Sequence, residues 1–294
     1  MERSSFLQLI GLSTIGMGVT GISDFLNTNS FKEQTEKMPV LFIGHGSPMN
    51  AVEDNVFVQE FKKLSMRMPE PKAIICISAH WLTRGTYVTA MQTPRTIHDF
   101  QGFPQALYDI KYNAQGSPEL AQSIKDMVED IVIHHDLDWG LDHGTWSILR
   151  NIYPDAQIPV LQLSIDWNKP MSYHVELAKK LSQLREKGVL MIGSGNIVHN
   201  LGMVDFSQLN NIGYGYDWAL EARKYVNDRI MENQINDLIN YDKGPTCLKL
   251  AIPTPDHFIP LLYSIGLRRQ EDNLVFFNDE VLAGSLSMTS VMFS

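Results

Sequence analysis

Short apolar runs alternate with amphipathic stretches of helical period from Met38 to the end of the chain. This alternation is typical of an α/β domain built around a largely parallel sheet. Most of the runs are rich in β-branched residues and apolar at every position, as expected of strands buried on both faces. The pattern predicts strands at residues 40–43, 73–78, 87–91, 131–134, 158–164 and 189–193.

Residue types that start and stop helices mark the segments between these strands. Ser117 is a predicted N-cap, followed by a proline and an acid in the first turn. In residues 170–187 leucines recur on one face, and Gly188 ends the pattern. Further helices are predicted at residues 216–239 and 254–265, and strands, antiparallel at the sheet edge, at residues 273–277 and 286–293. The predicted fold class is therefore α/β, with a central, mostly parallel or mixed sheet flanked by helices.

The start of the chain differs in composition from the rest. After Glu2 and Arg3, residues 4–23 carry no charge and are rich in Leu, Ile, Gly and small polar side chains. The segment resembles an export leader, but it lacks a strongly basic start, a small-residue cleavage site and the second arginine of a twin-arginine leader. We expect a cytoplasmic protein, with export through a degenerate leader as the alternative and membrane contact only if the segment is retained. Residues 1–37 are assigned to this leader and a polar linker, and residues 38–294 to the folded domain.

The composition narrows the class of partner. The chain has 294 residues, of which 44% are hydrophobic, enough for one large domain or two small ones. Its formal net charge is −9 and it has no basic stripe that could neutralise phosphates, so a small-molecule ligand is favoured over a nucleic acid. Cys76 and Cys247 are too few for a disulfide scaffold and lack Cys-x-x-Cys spacing.

Four histidines lie beside apolar strands or at a helix start. His45, His80 and His199 each follow a predicted strand. His257 lies in Thr254-Pro-Asp-His, where a helix should begin. Strand ends are where an open α/β sheet collects its functional groups, and imidazole is the commonest protein ligand of zinc and iron. Each histidine alone is most simply a hydrogen-bonded imidazole, but the four together predict a metal site.

The remaining histidines divide by context. His143 lies in a loop before a predicted helix and is a candidate acid/base group. Its neighbour Asp142, like Asp256 beside His257, could orient the adjacent imidazole by a hydrogen bond. His98 either lines a cleft or caps a turn. Structural or solvated positions are predicted for His134, His135 and His174.

Six short motifs occur in order along the chain and are together far more specific than any one of them. They are Gly44-His-Gly-Ser-Pro-Met, Ser78-Ala-His-Trp, Gly140-Leu-Asp-His-Gly-Thr-Trp, Pro159-Val-Leu-Gln-Leu-Ser-Ile-Asp, Gly193-Ser-Gly-Asn-Ile-Val-His-Asn and Thr254-Pro-Asp-His-Phe-Ile-Pro. With these motifs the chain resembles the DOPA-dioxygenase-type branch of the class III extradiol ring-cleaving dioxygenases, in the LigB-like superfamily. The resemblance covers residues 38–294 and implies that they form one catalytic α/β domain.

The resemblance also implies the chemistry of the site. His45, His80 and His257 are expected to bind one metal ion in each chain, Zn²⁺ or Fe²⁺. His199 is implied either as a fourth ligand or as an acid/base group, and His143 as a histidine that faces the substrate. The implied reaction opens the ring of a small aromatic diol with O₂ to give a semialdehyde, with proton transfer through His143 or His199.

One feature separates this branch from better-known class III enzymes, which have a glutamate where this chain has His257. An all-imidazole site keeps the full +2 charge of the ion and also suits zinc. Zinc has no redox chemistry, so a zinc-dependent hydrolase on the same histidines is one alternative, and a non-catalytic binding protein of this fold is another. The sequence leaves the catechol, the position of cleavage and the oligomeric state open. Candidates to stack on the substrate ring are Trp81, Phe103, Tyr108 and Trp146.

Overall fold

The computed structural model describes residues 36–294, so the predicted leader and nearly all of the linker lie outside the described residues. The strands of the described part are β1 (Val40–Gly44), β2 (Ala73–Ser78), β3 (Leu82–Thr83), β4 (Thr86–Thr89), β5 (Ile133–Asp136), β6 (Val160–Gln162), β7 (Ile165–Asp166), β8 (Val189–Gly195), β9 (Leu274–Phe277), β10 (Val281–Leu282), β11 (Leu286–Ser287) and β12 (Ser290–Phe293). Its α-helices are α1 (Val56–Leu64), α2 (Gln105–Tyr108), α3 (Pro118–Met127), α4 (His143–Ile152), α5 (Met171–Leu181), α6 (Asp217–Met231), α7 (Ile235–Ile239), α8 (Thr246–Ala251) and α9 (Ile259–Leu267). No helix within residues 36–294 is long and apolar enough to cross a membrane.

A six-stranded sheet in the order β6-β2-β8-β1-β12-β9 forms the centre of the fold. Its first four strands are parallel to one another. β12 runs antiparallel to β1, and β9 runs antiparallel to β12 at the edge of the sheet. The predicted parallel core and the predicted antiparallel closing strands are both confirmed.

Side chains of the central strands alternate between two apolar layers. In β1, Val40 and Phe42 pack in the layer that contains α3, α5, α6, α8 and α9. Leu41 and Ile43 point to the opposite face and pack with α1, α2 and α4. Both faces are therefore covered by helices, which explains why these strands are apolar at every position. The α/β fold class is confirmed.

Four predicted elements differ from the structure in pairing partner or in extent. The segments predicted at 87–91 and 131–134 form β4 and β5, which pair with each other outside the central sheet. Both carry exposed or half-exposed positions, which a strand in the centre of a covered sheet would not have. The strand predicted at 158–164 is shortened to β6. The helix predicted at 216–239 is divided into α6 and α7, since Asn233 takes a left-handed conformation with φ of 55°.

Candidate metal centre

The carboxyl ends of neighbouring parallel strands bring two of the predicted ligands together. Ile43 of β1 and Ser78 of β2 both pair with Ser194 of β8, so the three strands end nearly in line. His45 follows β1 directly, and His80 lies two residues beyond β2. Their ring centroids are 5.0 Å apart. The predicted clustering of these two strand-end histidines is confirmed.

His257 reaches the same edge through a close backbone contact. Asn196, just after β8, donates its backbone N–H to the carbonyl oxygen of His257 at 2.9 Å. A side chain at Gly195 would have its Cβ 2.2 Å from that oxygen, so only glycine permits the approach. As a result the His257 ring lies 5.3 Å from that of His45 and 5.0 Å from that of His80.

The helix after His257 starts later than the sequence predicts. α9 begins at Ile259, and His257 lies in the turn before it instead of in the first helical turn. The carbonyl oxygen of Pro255 accepts from the N–H groups of both Phe258 and Ile259 at 2.9 Å, so His257 lies inside a single hydrogen-bonded turn that leads into the helix. The ring is therefore presented by a turn held against the sheet.

Hydrogen bonds behind two of the rings determine which nitrogen faces the centre. Oγ of Ser194 donates to the carbonyl oxygen of Gly144 at 2.5 Å, so it can only accept from Nδ1–H of His45, at 2.9 Å. Nδ1–H of His257 donates to the carboxylate of Asp256. Each ring then carries its lone pair on Nε2, an arrangement usual for metal-ligating histidines. Asp256 thus orients its neighbour, as predicted.

The three imidazoles form a donor set of the size that a small divalent ion requires. One nitrogen from each of His45, His80 and His257 lies within 4.8 Å of the others. Nε2 of His45 is 3.2 Å from Nε2 of His80. Two nitrogens bound at about 2.1 Å to one ion are about 3.0 Å apart at a right angle and about 3.4 Å apart at the tetrahedral angle. The residues present therefore fit a zinc- or iron-sized ion.

Burial and mutual proximity favour the neutral forms of His45 and His80. Burial lowers the pKa of His45 well below its ordinary value, and the nearby His80 and His257 lower it further. Burial also lowers the pKa of His80, followed in effect by His143. Burial would raise the pKa of the Asp256 carboxyl, but the hydrogen bond from His257 outweighs it and the pKa lies below the ordinary range. Neutral imidazoles backed by an ionised carboxylate are the state that metal binding needs.

His143 is the first residue of α4 and lies beside the three-nitrogen group, which is formed by one ring nitrogen each of His45, His80 and His257. Its ring centroid is 3.9 Å from that of His80 and 5.7 Å from that of His45. Asp99 accepts hydrogen bonds from its backbone N–H and from its Nδ1–H, each at 2.9 Å. Burial would raise the pKa of Asp99, but these hydrogen bonds outweigh it and hold the pKa below its ordinary value. A carboxylate 44 residues away in sequence thus orients this ring.

The predicted role of Asp142 in orienting His143 is wrong. Asp142 has an extended backbone and is the N-cap of α4, accepting from the backbone N–H of Thr145 at 3.2 Å. Its other carboxylate oxygen accepts from Nε2 of Gln162 at 2.7 Å. Both oxygens are thereby engaged away from the imidazole. Burial, followed by the charge of Asp99, raises the pKa of the Asp142 carboxyl.

His199 lies against His257 and outside the three-nitrogen group. Their rings are stacked with centroids 3.5 Å apart and planes 8° apart. Among the described residues, the nitrogen of His199 is grouped with Asp256 and His257, and not with His45 and His80. Burial, followed by His257, lowers the pKa of His199 to about 3. The structure therefore puts a neutral imidazole on one face of a candidate ligand.

The aromatic residues near His143 differ from the predicted stacking set. Phe100 meets His143 edge to face at 5.6 Å between centroids and 80° between planes. Phe103 and Tyr108, two of the predicted residues, are half-buried and each lie 5.2 Å from Phe100. The other two predicted residues are buried in the protein, Trp81 and Trp146. A half-buried aromatic group centred on Phe100 therefore borders the site.

The histidines outside the centre have separate environments. A ring nitrogen of His98 lies 3.1 Å from the carbonyl oxygen of Ile110. His174 is fully buried in α5, 3.2 Å from the Tyr263 hydroxyl. The two histidines of β5 are exposed, His134 and His135. The structural or solvated positions predicted for the last three are confirmed.

Comparison with known proteins identifies the family of this chain. Residues 39–285 match the family described as the catalytic LigB subunit of aromatic ring-opening dioxygenase. The chain belongs to this family. It is 46% identical over 261 residues to the 4,5-DOPA dioxygenase extradiol of Escherichia coli (strain K12), covering 87% of this chain and 94% of that protein. It is 34% identical over 261 residues to the protein of the same name from Beta vulgaris, covering 86% and 95%.

A solved structure agrees with the fold of this LigB-family chain. An uncharacterized protein from Escherichia coli K12 superimposes with a TM-score of 0.76 at 40% sequence identity, covering 88% of this chain and 100% of that one. The LigB-family chain is an extradiol aromatic ring-opening dioxygenase, as its resemblance implied. An aromatic substrate, O₂ and a metal ion follow from the family, and the histidine group can hold such an ion.

Proposed function

We propose that this LigB-family chain cleaves the ring of DOPA or a closely related catechol between carbons 4 and 5. The observation that carries the proposal is the convergence of three imidazole nitrogens within 4.8 Å, two of them with Nε2 selected by hydrogen bonds behind the ring. Substrate and cleavage position come from the relatives, which are named as 4,5-DOPA dioxygenases at 46% and 34% identity.

One Fe(II) ion would be held by His45, His80 and His257. When bound there, Fe(II) would supply the redox chemistry with O₂ that opening a catechol ring requires and that zinc lacks. Zinc would fit the same donors without supporting ring opening, so we treat it as a competing ion. One ion for each chain would bind the facing nitrogens of His45 and His80, which are 3.2 Å apart.

His199 is proposed as an acid/base group and not as a fourth ligand. An imidazole binds a metal through a lone pair in its own plane. Because the planes of His199 and His257 are nearly parallel and 3.5 Å apart at their centroids, an ion in the plane of one ring lies well outside the plane of the other. The pKa of about 3 keeps His199 neutral and makes it a weak base, so the proposed role rests on the position of the ring against His257 and not on its basicity.

His143 is proposed as the second proton-transfer group. Its Nδ1–H is committed to Asp99, so Nε2 is the nitrogen able to accept or return a proton at the substrate. The ring is next to that of His80, with 3.9 Å between centroids, so a substrate bound at the metal would lie within its reach. Phe100 packs on this imidazole and borders the space that an aromatic substrate would enter.

The proposal is tested by oxygen consumption after anaerobic loading of the purified protein with Fe(II). L-DOPA, dopamine and 4-methylcatechol should each consume one O₂ per ring opened, with L-DOPA preferred, and tyrosine, which lacks the second hydroxyl, should consume none. NMR of the semialdehyde distinguishes 4,5-cleavage from 2,3-cleavage. His45→Ala should be inactive, and His135→Ala, an exposed histidine of β5, serves as the matched control. No oxygen uptake with any catechol after verified Fe(II) loading would contradict the proposal.

A further inference from the structure

Asp99 holds His143 through both of its carboxylate oxygens. Oδ1 accepts the backbone N–H of His143 at 2.9 Å, and Oδ2 accepts its Nδ1–H, also at 2.9 Å. Two bonds to one residue fix the start of α4 and the rotation of the ring together. We propose that Asp99 is a positioning residue that keeps the proton of neutral His143 on Nδ1 and thereby presents the lone pair of Nε2 to the substrate.

The tautomer follows from what the partner can do. An ionised carboxylate only accepts hydrogen bonds, so the nitrogen that faces Asp99 has to be the one that carries the proton. The Asp99 side chain is only 17% exposed, which limits competition from water for the same oxygen. With Nδ1–H held in this way, Nε2 of the neutral ring is a base, and after it takes a proton it is an acid.

Backbone pairing fixes the position of Asp99 relative to α4. Leu141 donates its N–H to the carbonyl oxygen of Arg95 at 2.8 Å and accepts from the N–H of Ile97 at 2.7 Å. This pairing sets the two segments side by side just before Asp99 and His143. The Ile97–Leu141 pairing lies two residues before Asp99 in one segment and two residues before His143 in the other. It therefore holds the two side chains in position to bond.

The same carboxylate also approaches a proposed metal ligand. Oδ2 of Asp99 is 3.6 Å from Nδ1 of His80, which is too long for a hydrogen bond but close enough for the charge of Asp99 to act on this ring. The stronger link is to His143, at 2.9 Å. Removal of the Asp99 charge could thus act through the acid/base histidine or through the metal, and only a test that measures both can separate the two.

This inference rests on the proposed role of His143, and Asp99→Asn is the central variant. The amide keeps the size of the side chain but can turn its NH₂ towards Nδ1, which moves the imidazole proton to Nε2. We expect kcat for the Fe(II)-loaded enzyme to fall by about 10²-fold to 10⁴-fold, with KM and metal content nearly unchanged. Asp99→Glu should recover part of the loss. Asp109→Asn, which removes a surface carboxylate from the end of α2, is the matched control and should retain full kcat.

Two further measurements distinguish positioning from a merely structural role. In the His143→Phe background, Asp99→Asn should cause no further fall in kcat, because the residue through which it acts is gone. In ¹⁵N-labelled, zinc-loaded protein, the ring nitrogens of His143 should report Nδ1–H in the wild type and lose that signature in Asp99→Asn. The proposal would be overturned if Asp99→Asn kept full kcat or lost its metal. It would also be overturned if the losses in the double variant were additive or if the tautomer of His143 did not change. A wild type without oxygen uptake would refute the proposed function instead, and the nitrogen spectra would still decide the role of Asp99.

Discussion

His174 should make the stability of the fold depend on pH, although it lies outside the metal centre. It is fully buried in α5, and its Nδ1 lies 3.2 Å from the hydroxyl of Tyr263 in α9. Nε2 has no hydrogen-bond partner among the described residues. A second ring proton would therefore have no acceptor. Burial lowers the pKa of His174 from 6.5 to about 4, and the charge of Asp166 offsets this only in part.

The magnitude follows from the difference between folded and unfolded states. Between pH 6.5 and about 4 the unfolded chain binds a proton at His174 that the folded protein does not. The free energy of unfolding therefore falls as the pH is lowered through this window. The contribution of His174 to stability is complete above the window and is lost below it. A pKa difference of about 2.5 corresponds to about 3 kcal/mol. The His174–Tyr263 contact joins α5 to α9, so the protonation should weaken the packing of these two helices.

The assay is urea unfolding of wild type and His174→Gln at pH values from about 7.5 to about 4. Glutamine can still hydrogen-bond Tyr263 but does not titrate in this range. The stability of the wild type should fall by about 3 kcal/mol more than that of the variant, whereas His135→Gln, on the exposed strand β5, should follow the wild type. Acid protonation of the metal-site histidines affects all three proteins alike and cancels in the comparison. Parallel profiles for wild type and His174→Gln, within about 0.5 kcal/mol, would refute the reasoning.

Further variants test the centre itself. His45→Ala should lower metal affinity by more than the roughly 10-fold to 100-fold expected for losing a residue behind a ligand, as measured by metal analysis after competition with a chelator. His143→Phe should retain the metal but lower kcat by about 10²-fold to 10⁴-fold, and a variant that loses its metal instead would make His143 a ligand. Asp256→Asn should weaken metal binding by about 10-fold to 100-fold, because His257 loses its carboxylate partner, and unchanged affinity would contradict that role. His257→Glu sets a second carboxylate beside Asp256, and the two negative charges should repel each other. In the same competition measurement, this variant should therefore bind Fe(II) less tightly than the double variant that also carries Asp256→Asn.

The central strands and their histidines could be predicted because the information is local. β2 is bounded in the structure as predicted, and β1 and β8 differ only by residues at their ends. Each is a continuous apolar run, so burial on both faces is visible in the sequence. Parallel strands end at one edge, which makes the meeting of His45 and His80 a consequence of topology.

The partners of the histidines were less predictable because most lie far away in sequence. Asp99 contacts His143 across 44 residues, and Ser194 contacts His45 across 149. Sequence proximity favoured Asp142 instead, but a residue at an N-cap directs its carboxylate to the backbone of the helix. Asp256, by contrast, lies in a turn that lets it meet the adjacent ring.

The position of the carboxylates changes how the charge of the centre should be understood. Three neutral imidazoles leave the +2 charge of an ion undiminished at the atoms bonded to it, as the sequence implied. Ionised Asp256 nevertheless lies directly behind the proposed ligand His257, and ionised Asp99 is 3.6 Å from Nδ1 of His80. Compared with a glutamate ligand, the negative charge is moved outward by one imidazole. With an ion bound, such an arrangement would reduce its attraction for a catecholate less than a glutamate ligand would, and would still limit the positive charge felt further away.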